Sequence, residues 1–442
     1  MNNIKEAQEE ANKCLNCKVP MCKKGCPINT NIPQFIEQIK NGNLEEAYKI
    51  LQENNIMSDI CSNVCPYEEC CVGNCIKGIK GQPIQVNKLE KYVNNWARDN
   101  NVIYVNEKKA NNKIKIAIIG SGPAGIECSV ELAKNGYDVA IFEKEAEIGG
   151  LLTYGIPGFR LPRDITQNLT RRIKNLGIQI HTNTELGKNI TISELKKKGF
   201  KAIFLAIGAE LASEYSLTDR ECNYIYKADY ILKEYNAKRI VKDLGDVIII
   251  GGGNVATDSA RAAIRMGAKS STIVYRRNKE KMPAREIELQ EAIEDGVEIM
   301  YNTKVVSADV ENGKISKINC IKTKLEDDKI VDIENSDFTL TADSIIFAIG
   351  LKPNKTLLEK ENIELDENGL IKLDENSMTN IEGVFAGGDV CQSKATVCLA
   401  IKAGKNAAKN IINYFWVSEW KEGKRGQTTF SLLTYTNKCF KI

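Results

Sequence analysis

The chain has 442 residues, a length that allows two to four domains. Apolar residues make up 43% and charged residues 27%, proportions that exclude a disordered or fibrous protein. The net charge of +3 is too small to imply a nucleic-acid partner, and no apolar run reaches the length of a membrane span. The polar first residues lack the apolar core of a signal peptide, so we expect a cytoplasmic protein that binds neither nucleic acid nor membrane.

The first hundred residues combine helical periodicity with many cysteines. Nine of the 15 cysteines lie in the first 75 residues, within CLNCKVPMCKKGCP (14–27) and CSNVCPYEECCVGNC (61–75). Between the two groups, the pattern at 32–51 predicts two short helices around a Gly-Asn break. After the second group, 83–97 predicts a third helix. In a cytoplasmic chain, such cysteine groups bind metals or carry redox chemistry more often than they form disulfides.

A strand, a glycine turn, a helix and a second strand are predicted over 113–144. The turn fits G-x-G-x-x-G: Gly120 permits the tight turn, Gly122 lets the backbone approach a pyrophosphate, and Gly125 lets the helix pack on the strand. Glu143 ends the second strand, where an acid binds a ribose diol. The pattern predicts a dinucleotide site rather than a simple turn.

Two further stretches favour FAD over NAD in this first lobe. EIGGLLTYGIPGFRLP (147–162) supplies Gly149, Gly150 and a cation, Arg160. GVFAGGDV (383–390) sets Asp389 after a short strand and ahead of a predicted helix at 396–408. This arrangement is similar to that of two-dinucleotide flavoproteins, in which the aspartate lies beside the FAD ribityl chain and pyrophosphate.

A second unit of the same kind is predicted over 246–277, and its ligand is a nicotinamide nucleotide. Its strand ends in Tyr275, Arg276 and Arg277, where an acid would serve NADH. An arginine pair at this place binds a 2′-phosphate, so NADPH is predicted; the alternative is a solvated basic strand end. Arg285 is a weaker phosphate candidate. The predicted turn residues are Gly251, Gly252, Gly253, Asn254 and Val255.

Three interpretations of the cysteine groups compete. The spacing C-x2-C-x4-C-x3-C-P is similar to the ferredoxin run that binds iron–sulfur clusters. Four-cysteine zinc sites share the C-x2-C spacing, and a catalytic dithiol is the third alternative. Iron–sulfur is favoured because a flavin fed by a hydride donor can split electron pairs for a cluster. The remaining cysteines stand singly and are interpreted as small buried hydrophobes: Cys128, Cys222, Cys320, Cys391, Cys398 and Cys439, with Cys61 and Cys70 as further bystanders.

The motifs together resemble a known family. The sequence is similar to the small (beta) subunits of NADPH-dependent glutamate synthase, to the flavin subunit of bifurcating NADH-dependent ferredoxin:NADP oxidoreductase, and to the N-terminal half of dihydropyrimidine dehydrogenase. The resemblance covers residues 10–415 and is carried by CLNCKVPMCKKGCP, VCPYEECCVGNC, GSGPAGIECS, GGLLTYGIPGFRLP, GGGNVATDSA, VYRRNKEKMPA and AGGDV.

The resemblance implies two interleaved 4Fe–4S clusters and a set of FAD contacts. One cluster would be held by Cys14, Cys17, Cys22 and Cys75. The other would be held by Cys26, Cys65, Cys71 and an unusual fourth ligand, Glu90, with Cys70 or Cys61 as substitutes. The implied FAD contacts are Gly120, Ser121, Gly122, Pro123, Ala124, Gly125, Glu143, Lys144, Gly149, Gly150, Leu151, Arg160, Gly388, Asp389, Thr396 and Val397.

The expected fold is α/β, with two Rossmann-like dinucleotide-binding lobes, for FAD and NADPH, behind a helical iron–sulfur domain. The predicted division is a cluster domain at 1–112, an FAD lobe at 113–240 and 342–415, an inserted NADPH lobe at 241–341, and a tail of unknown role at 416–442. No side chain is predicted to act as acid or base. No glutaminase nucleophile or FMN barrel is found.

The expected function is to pass electrons from NADPH through FAD and two 4Fe–4S clusters to a larger catalytic subunit, of the amidotransferase type, or to ferredoxin. Glutamate synthase is the favoured system; the bifurcating and pyrimidine-reducing enzymes are alternatives. A non-enzymatic electron-transfer subunit is the alternative of another class.

Overall fold

The computed structural model describes residues 1, 3–104, 108–209, 211–212 and 216–421, with only the backbone described at 211–212 and 418–421. Most of the predicted tail, including Cys439, therefore lies outside the described residues. Residues 416–421 continue the last helix, because α-helical structure runs without a break to Lys421.

Helices make up the N-terminal region and flank two sheets. They are α1 (Ile4–Asn12), α2 (Met21–Gly25), α3 (Ile32–Lys40), α4 (Leu44–Asn54), α5 (Ser58–Val64), α6 (Val86–Asp99), α7 (Pro123–Lys134), α8 (Leu151–Tyr154), α9 (Arg163–Asn175), α10 (Ile192–Lys197), α11 (Ala228–Asn236), α12 (Asn254–Arg265), α13 (Glu286–Glu294), α14 (Lys355–Lys360) and α15 (Val397–Lys421), with 3₁₀ turns at Ile76–Ile79 and Lys279–Lys281.

The strands, numbered in chain order, are β1 (Lys115–Ile119), β2 (Asp138–Phe142), β3 (Gln179–His181), β4 (Ala202–Leu205), β5 (Leu211–Ala212), β6 (Ile225–Lys227), β7 (Asp246–Gly251), β8 (Ser270–Val274), β9 (Glu298–Met300), β10 (Thr303–Glu311), β11 (Lys314–Glu326), β12 (Lys329–Asp332), β13 (Phe338–Leu340), β14 (Ser344–Ala348), β15 (Leu351–Lys352) and β16 (Val384–Ala386).

The N-terminal helices enclose a small core of their own. The predicted break between two helices occurs at Gly42, which adopts a φ of +77° between α3 and α4. Apolar residues at helical spacing, among them Phe35, Ile39, Leu51 and Leu89, are buried against one another. The predicted third helix, α6, packs on α4 and α5. Most of the clustered cysteines lie in the loops around these helices, whereas Cys22 lies in α2 and Cys61 in α5.

The first lobe is built on a parallel sheet with the order β16-β4-β1-β2-β3. Helix α7 follows β1, and α15 packs against α7 at Gly404, where a Cβ atom would lie 2.3 Å from the carbonyl oxygen of Ala124. The last strand, β16, returns to this sheet after the second lobe. The second lobe is therefore inserted between β4 and β16 of the first, and α15 completes the first lobe.

The second lobe is built on a parallel sheet with the order β6-β14-β7-β8-β9, beside an antiparallel layer of β10–β13. Its extent differs from the predicted 241–341. Strands 225–227 and 344–348 belong to it, because β14 pairs with both β6 and β7. The hydrophobic run at 344–348 is a buried strand, and its backbone hydrogen bonds assign it to the second sheet, which hydrophobicity alone could not reveal.

None of the helices in the described part of the chain has the length and apolar character that a bilayer crossing requires.

Candidate functional site

The first glycine turn leaves open space in front of α7. A Cβ on Gly120 would lie 2.4 Å from the carbonyl oxygen of Ala206, and one on Gly125 would lie 2.1 Å from the carbonyl oxygen of Gly120. A Cβ on Gly122, in contrast, would meet nothing within 4 Å. Gly122 is the N-cap of α7 and has no side chain with which to cap it. The first-turn amides of α7 therefore remain available to a phosphate, and Pro123 and Ala124 lie in that turn.

The predicted acid holds this turn in place. The Glu143 carboxylate is buried at the end of β2 and accepts hydrogen bonds from the Ser121 backbone N–H (3.0 Å) and hydroxyl (2.5 Å). Its other oxygen accepts from the Glu145 N–H, while the Gly149 N–H donates to the Ser121 hydroxyl. Glu143, Ser121 and Gly149, which are far apart in sequence, thus form one hydrogen-bonded group.

The Gly-Gly turn before α8 lies directly beside the open space. Gly149 has a φ of +122° and Gly150 a φ of +53°, conformations that glycine adopts without strain. A Cβ on Gly150 would lie 3.0 Å from the Cα atom of Gly122. The neighbouring Leu151 and Lys144 side chains are exposed.

Asp389 provides a second carboxylate in this lobe. It follows Gly388, whose φ is +83°, after the end of β16. Burial raises the pKa of Asp389 to about 6, and its buried Oδ1 atom has no hydrogen-bond partner among the described residues. Val397 begins α15, and Thr396 directly precedes it. The Thr396 hydroxyl accepts a hydrogen bond from the Leu399 N–H. An unsatisfied carboxylate oxygen and the open space over Gly122 fit the hydroxyl-rich chain and pyrophosphate of FAD.

Arg160, which is predicted to contact FAD, joins the two lobes through ion pairs. Its guanidinium forms ion pairs with Asp258 in α12 (2.5 Å) and Glu288 in α13 (2.9 Å). All three side chains are less than 10% exposed. Burial raises the pKa of Asp258 to about 7, with Arg160 opposing the rise. The contact of Arg160 with FAD remains a prediction.

The second glycine turn is closed on one side and open on the other. A Cβ on Gly252 would lie 2.4 Å from the Tyr275 ring, whereas one on Gly253 would meet nothing within 4 Å. Gly251 precedes these two at the end of β7. Asn254 begins α12 and accepts a hydrogen bond from the Arg285 backbone N–H. Val255 is exposed in the first turn of α12.

The predicted phosphate-binding arginines differ in what they contact. Arg276 is exposed and Arg277 half-buried just beyond β8, and neither has an ion-pair partner within the described ranges. Arg285 is engaged: it forms a 2.8 Å ion pair with Glu68 and lies over the Tyr67 ring. Arg276 and Arg277 are therefore the more accessible anion-binding groups.

The four cysteines assigned to the first cluster line one pocket. Cys14, Cys17, Cys22 and Cys75 surround it together with apolar side chains from α3 and the segment before α6. Burial raises the pKa of Cys22 to about 11, and the other three thiols add to the rise. Soft thiolates converging in an apolar shell suit an iron–sulfur cluster.

The second predicted ligand set is partly assembled. Burial raises the pKa of Cys71, and the neighbouring Glu90, Cys26 and Cys70 side chains raise it further. The Glu90 carboxyl accepts a hydrogen bond from Ser58, and burial raises its pKa to about 7. Cys65 lies differently: its Sγ atom is within 4.8 Å of those of Cys70 and Cys398.

Comparisons with known proteins agree with this geometry. Residues 114–407 match the family model described as pyridine nucleotide-disulphide oxidoreductase, and residues 1–102 match the one described as dihydropyrimidine dehydrogenase domain II, 4Fe-4S cluster.

The chain belongs to the pyridine nucleotide-disulphide oxidoreductase family.

The chain is similar to several proteins of known name. The glutamate synthase [NADPH] small chain of Escherichia coli is 31% identical, over 93% of this chain and 92% of its own. That of Azospirillum brasilense is 31% identical, over 92% and 89%. The NAD-dependent dihydropyrimidine dehydrogenase subunit PreT of E. coli O157:H7 is 34% identical, over 92% and 94%.

Two solved structures share the fold. FprA from Mycobacterium tuberculosis superposes with a TM-score of 0.60 over 73% of this chain and 90% of its own, at 16% identity. Lactococcus lactis thioredoxin reductase superposes with a TM-score of 0.52 over 68% and 99%, at 20% identity. The expected fold class, the family resemblance and the expectation of an NAD(P)H-dependent enzyme are thus confirmed.

The chain is an FAD- and NAD(P)-dependent iron–sulfur oxidoreductase of the glutamate synthase small-subunit type. One residue near its sites escaped sequence analysis. Cys398 stands singly in the sequence, and only the fold brings α15 against the loop of Cys65 and Cys70. No local spacing could signal this, because most of the chain separates these cysteines.

Proposed function

We propose that this chain oxidises NADPH and passes the electrons, through FAD and two 4Fe–4S clusters, to a larger partner subunit of the glutamate synthase type. The observation that most supports it is that one chain contains both an open cradle over Gly122 and the four-cysteine pocket. Relatives named as the glutamate synthase small chain match this chain over more than nine-tenths of its length.

The choice of NADPH over NADH rests on the residues that follow β8 in the second sheet. Arg276 and Arg277 follow β8, and no ion pair occupies either guanidinium within the described ranges. A 2′-phosphate would gain charge-assisted hydrogen bonds there without first displacing a protein carboxylate. The opening over Gly253 would let the pyrophosphate approach the start of α12.

The predicted flavin site offers polar groups for both the adenosine part and the ribityl part of FAD. Glu143, held by Ser121, would accept hydrogen bonds from the adenosine ribose, and the α7 amides would bind the pyrophosphate. The unpartnered Asp389 oxygen would accept a hydrogen bond from the ribityl chain. When bound, FAD would accept a hydride from NADPH and release its electrons singly.

The cysteine loops would carry these electrons away from the flavin. Cys14, Cys17, Cys22 and Cys75 would hold one cluster, and the set Cys26, Cys65, Cys71 and Glu90 would hold the other. Cys65 is near the start of α15, the helix that also contains the predicted flavin contact Val397. The second cluster would therefore lie nearer to the flavin than the first.

A second candidate partner is a pyrimidine-reducing subunit. The 34% identity with a protein named as a dihydropyrimidine dehydrogenase subunit favours it. Both candidates share the route from a nicotinamide nucleotide through FAD to the clusters. They differ in the final acceptor and in the nucleotide, because the pyrimidine-reducing relative is named as NAD-dependent.

Reconstitution tests the proposal. The anaerobically purified chain should contain about eight irons and one FAD, and with NADPH it should reduce artificial one-electron acceptors. It should form glutamate from glutamine and 2-oxoglutarate only when a glutamate synthase large subunit is added. Reduction of uracil with a pyrimidine-reducing subunit, without glutamate formation, would favour the second candidate. Reduction of ferredoxin alone would point to the bifurcating enzymes. Stoichiometric zinc without acid-labile sulfide would refute the relay.

A further inference from the structure

The loops around the four-cysteine pocket present apolar side chains to solvent. Leu15, Met21 and Ile76 line this pocket, and all three are nevertheless exposed. Val19 and Ile79, from the same two loops, are exposed as well. Ile76 and Ile79 are three residues apart in a 3₁₀ turn, so their side chains lie on the same side of that turn. A group of exposed apolar side chains marks a surface that another molecule covers.

The same loops carry only positive charge. The ranges 11–36 and 70–89, which contain them, include seven lysines and no aspartate or glutamate, although the whole chain has 61 basic and 58 acidic residues. Lys77 lines the pocket, Lys24 lies in α2, and Lys80 directly follows the 3₁₀ turn. None of these three lysines has an ion-pair partner among the described residues. Their charges therefore remain available to a partner of opposite sign.

We propose that these exposed apolar side chains, with Lys24, Lys77 and Lys80, form a docking face for a protein that accepts the electrons and presents an acidic surface. The inference rests on the proposed function in one respect, because it takes the docked protein as the electron acceptor. The apolar centre would exclude water from the contact. The lysines would lie at the rim, because lysine is depleted from interface cores, and they would steer a reversible association.

Anionic lipid also attracts basic and apolar surfaces, but the build and position of this one favour a protein. Segments that lie on membranes are amphipathic helices with a long apolar face. The docking face is instead built from loops, a five-residue helix and a four-residue 3₁₀ turn. It borders the four-cysteine pocket, so an acceptor would bring its own redox centre close to the first predicted cluster. Two one-electron transfers there would consume the electron pair of one NADPH, which becomes NADP⁺ and a proton.

Charge reversal tests the docking face. The variant Lys24→Glu/Lys80→Glu is compared with Lys317→Glu/Lys329→Glu, which changes the net charge equally at exposed lysines of β11 and β12. The FAD- and cluster-loaded proteins are titrated by biolayer interferometry against a glutamate synthase large subunit and against an acidic ferredoxin. The first variant should raise the Kd of the protein that binds about tenfold or more, mainly through slower association, and the control should change it less than about twofold. Raising NaCl from about 50 to about 500 mM should weaken wild-type binding and remove the difference.

Two single variants test the apolar centre of the docking face. Ile79→Ser is matched with Ile240→Ser, because the two side chains are 78% and 71% exposed and only Ile79 belongs to the docking face. Ile79→Ser should speed dissociation about fivefold or more, and Ile240→Ser should leave it unchanged. Because both side chains are exposed, neither variant should lower the urea midpoint.

Several results would overturn the docking face. Equal effects of the two charge-reversal variants would do so, as would the absence of binding by either protein, or binding only to vesicles of phosphatidylserine and phosphatidylcholine. Iron, FAD and the reduction of the bound protein by NADPH are measured in the same samples. Electron transfer without charge-sensitive binding would overturn the docking face and leave the proposed function intact. Charge-sensitive binding by a chain that lacks iron would refute the proposed function while the acidic docking stands.

Discussion

The two lobes use the same strand–turn–helix unit and differ at the end of its second strand. In the first lobe that strand, β2, ends in a buried acid, Glu143, whose oxygens are hydrogen-bonded to the glycine turn. In the second lobe, β8 is followed by two arginines without ion-pair partners among the described residues, and an aromatic ring from Tyr275 packs on the turn. In units of this kind the glycine turn binds a pyrophosphate and the end of the second strand selects the ribose, so we expect the two lobes to differ in the nucleotide they take.

The largest expected effect is the loss of stability and FAD binding when a closely packed glycine of the first turn is replaced. Gly125→Ala should abolish FAD binding and destabilise the fold by roughly 3 kcal/mol, because the new Cβ would lie 2.1 Å from a fixed backbone oxygen. Gly253→Ala is the matched control: its Cβ would meet no protein atom, so only nucleotide affinity should fall. FAD absorbance and urea unfolding measure both variants. Equal losses of stability would show that the fold accommodates a Cβ atom at Gly125 as easily as it does at Gly253.

Removal of the arginine pair tests the selectivity of the second lobe. Each charge-assisted contact with a 2′-phosphate contributes roughly 1.5–3 kcal/mol, so the double variant Arg276→Ala/Arg277→Ala should raise the KM for NADPH about 100-fold or more. NADH turnover should hardly change. Lys269→Ala, at the opposite end of β8, is the control for the loss of a positive charge. A wild-type preference for NADH would contradict the assignment.

Asp389, whose Oδ1 atom lacks a hydrogen-bond partner among the described residues, should make the stability of the FAD-free protein depend on pH. Burial raises the folded-state pKa of Asp389 to about 6, above the ordinary value of 3.8. The folded state therefore favours the protonated carboxyl of Asp389. The contribution of this group to the free energy of unfolding is complete below pH 4 and is lost as the pH rises through 6. The loss is about 3 kcal/mol.

Asp389→Asn, which is neutral throughout, isolates this contribution. Urea unfolding of FAD-free protein between pH 4.5 and 7.5 should show wild type losing about 2 kcal/mol relative to the variant. Parallel curves would mean that the Asp389 carboxylate is satisfied in the fold. Bound FAD should remove most of the difference, because its hydroxyls would partner the ionised carboxylate.

The smallest effects concern how each lobe contacts the cluster domain. The second lobe does so through Arg285, which is 9% exposed and paired with Glu68. The first lobe does so through Lys394, which pairs with Glu69 of the cluster domain; these two side chains are 72% and 63% exposed. Arg285→Ala should destabilise the protein by roughly 1.5 kcal/mol, whereas Lys394→Ala should leave the urea midpoint unchanged. A larger effect at Lys394 would reverse this ranking.

Local chemistry made much of this architecture predictable. The glycine turns, Glu143 and the spacing of Cys14, Cys17 and Cys22 are encoded within short segments, where residue type dictates geometry. The assignment of β14 to the second sheet and the ion pairs of Arg160 and Arg285 depend on elements that meet only in the folded chain. The ligand assignments carried by family resemblance, Glu90 among them, remain predictions.

The long helix α15 also restricts how the chain can change in length. Cys398 faces the thiols of the cluster domain, and Lys405, seven residues later and therefore on the same side, pairs with Glu127 and donates to the Asn54 carbonyl. Deleting one residue between them would rotate one end relative to the other by about 100°. Substitutions can accumulate along this stretch, but an insertion or deletion there would turn either the thiol or the lysine away from the cluster domain.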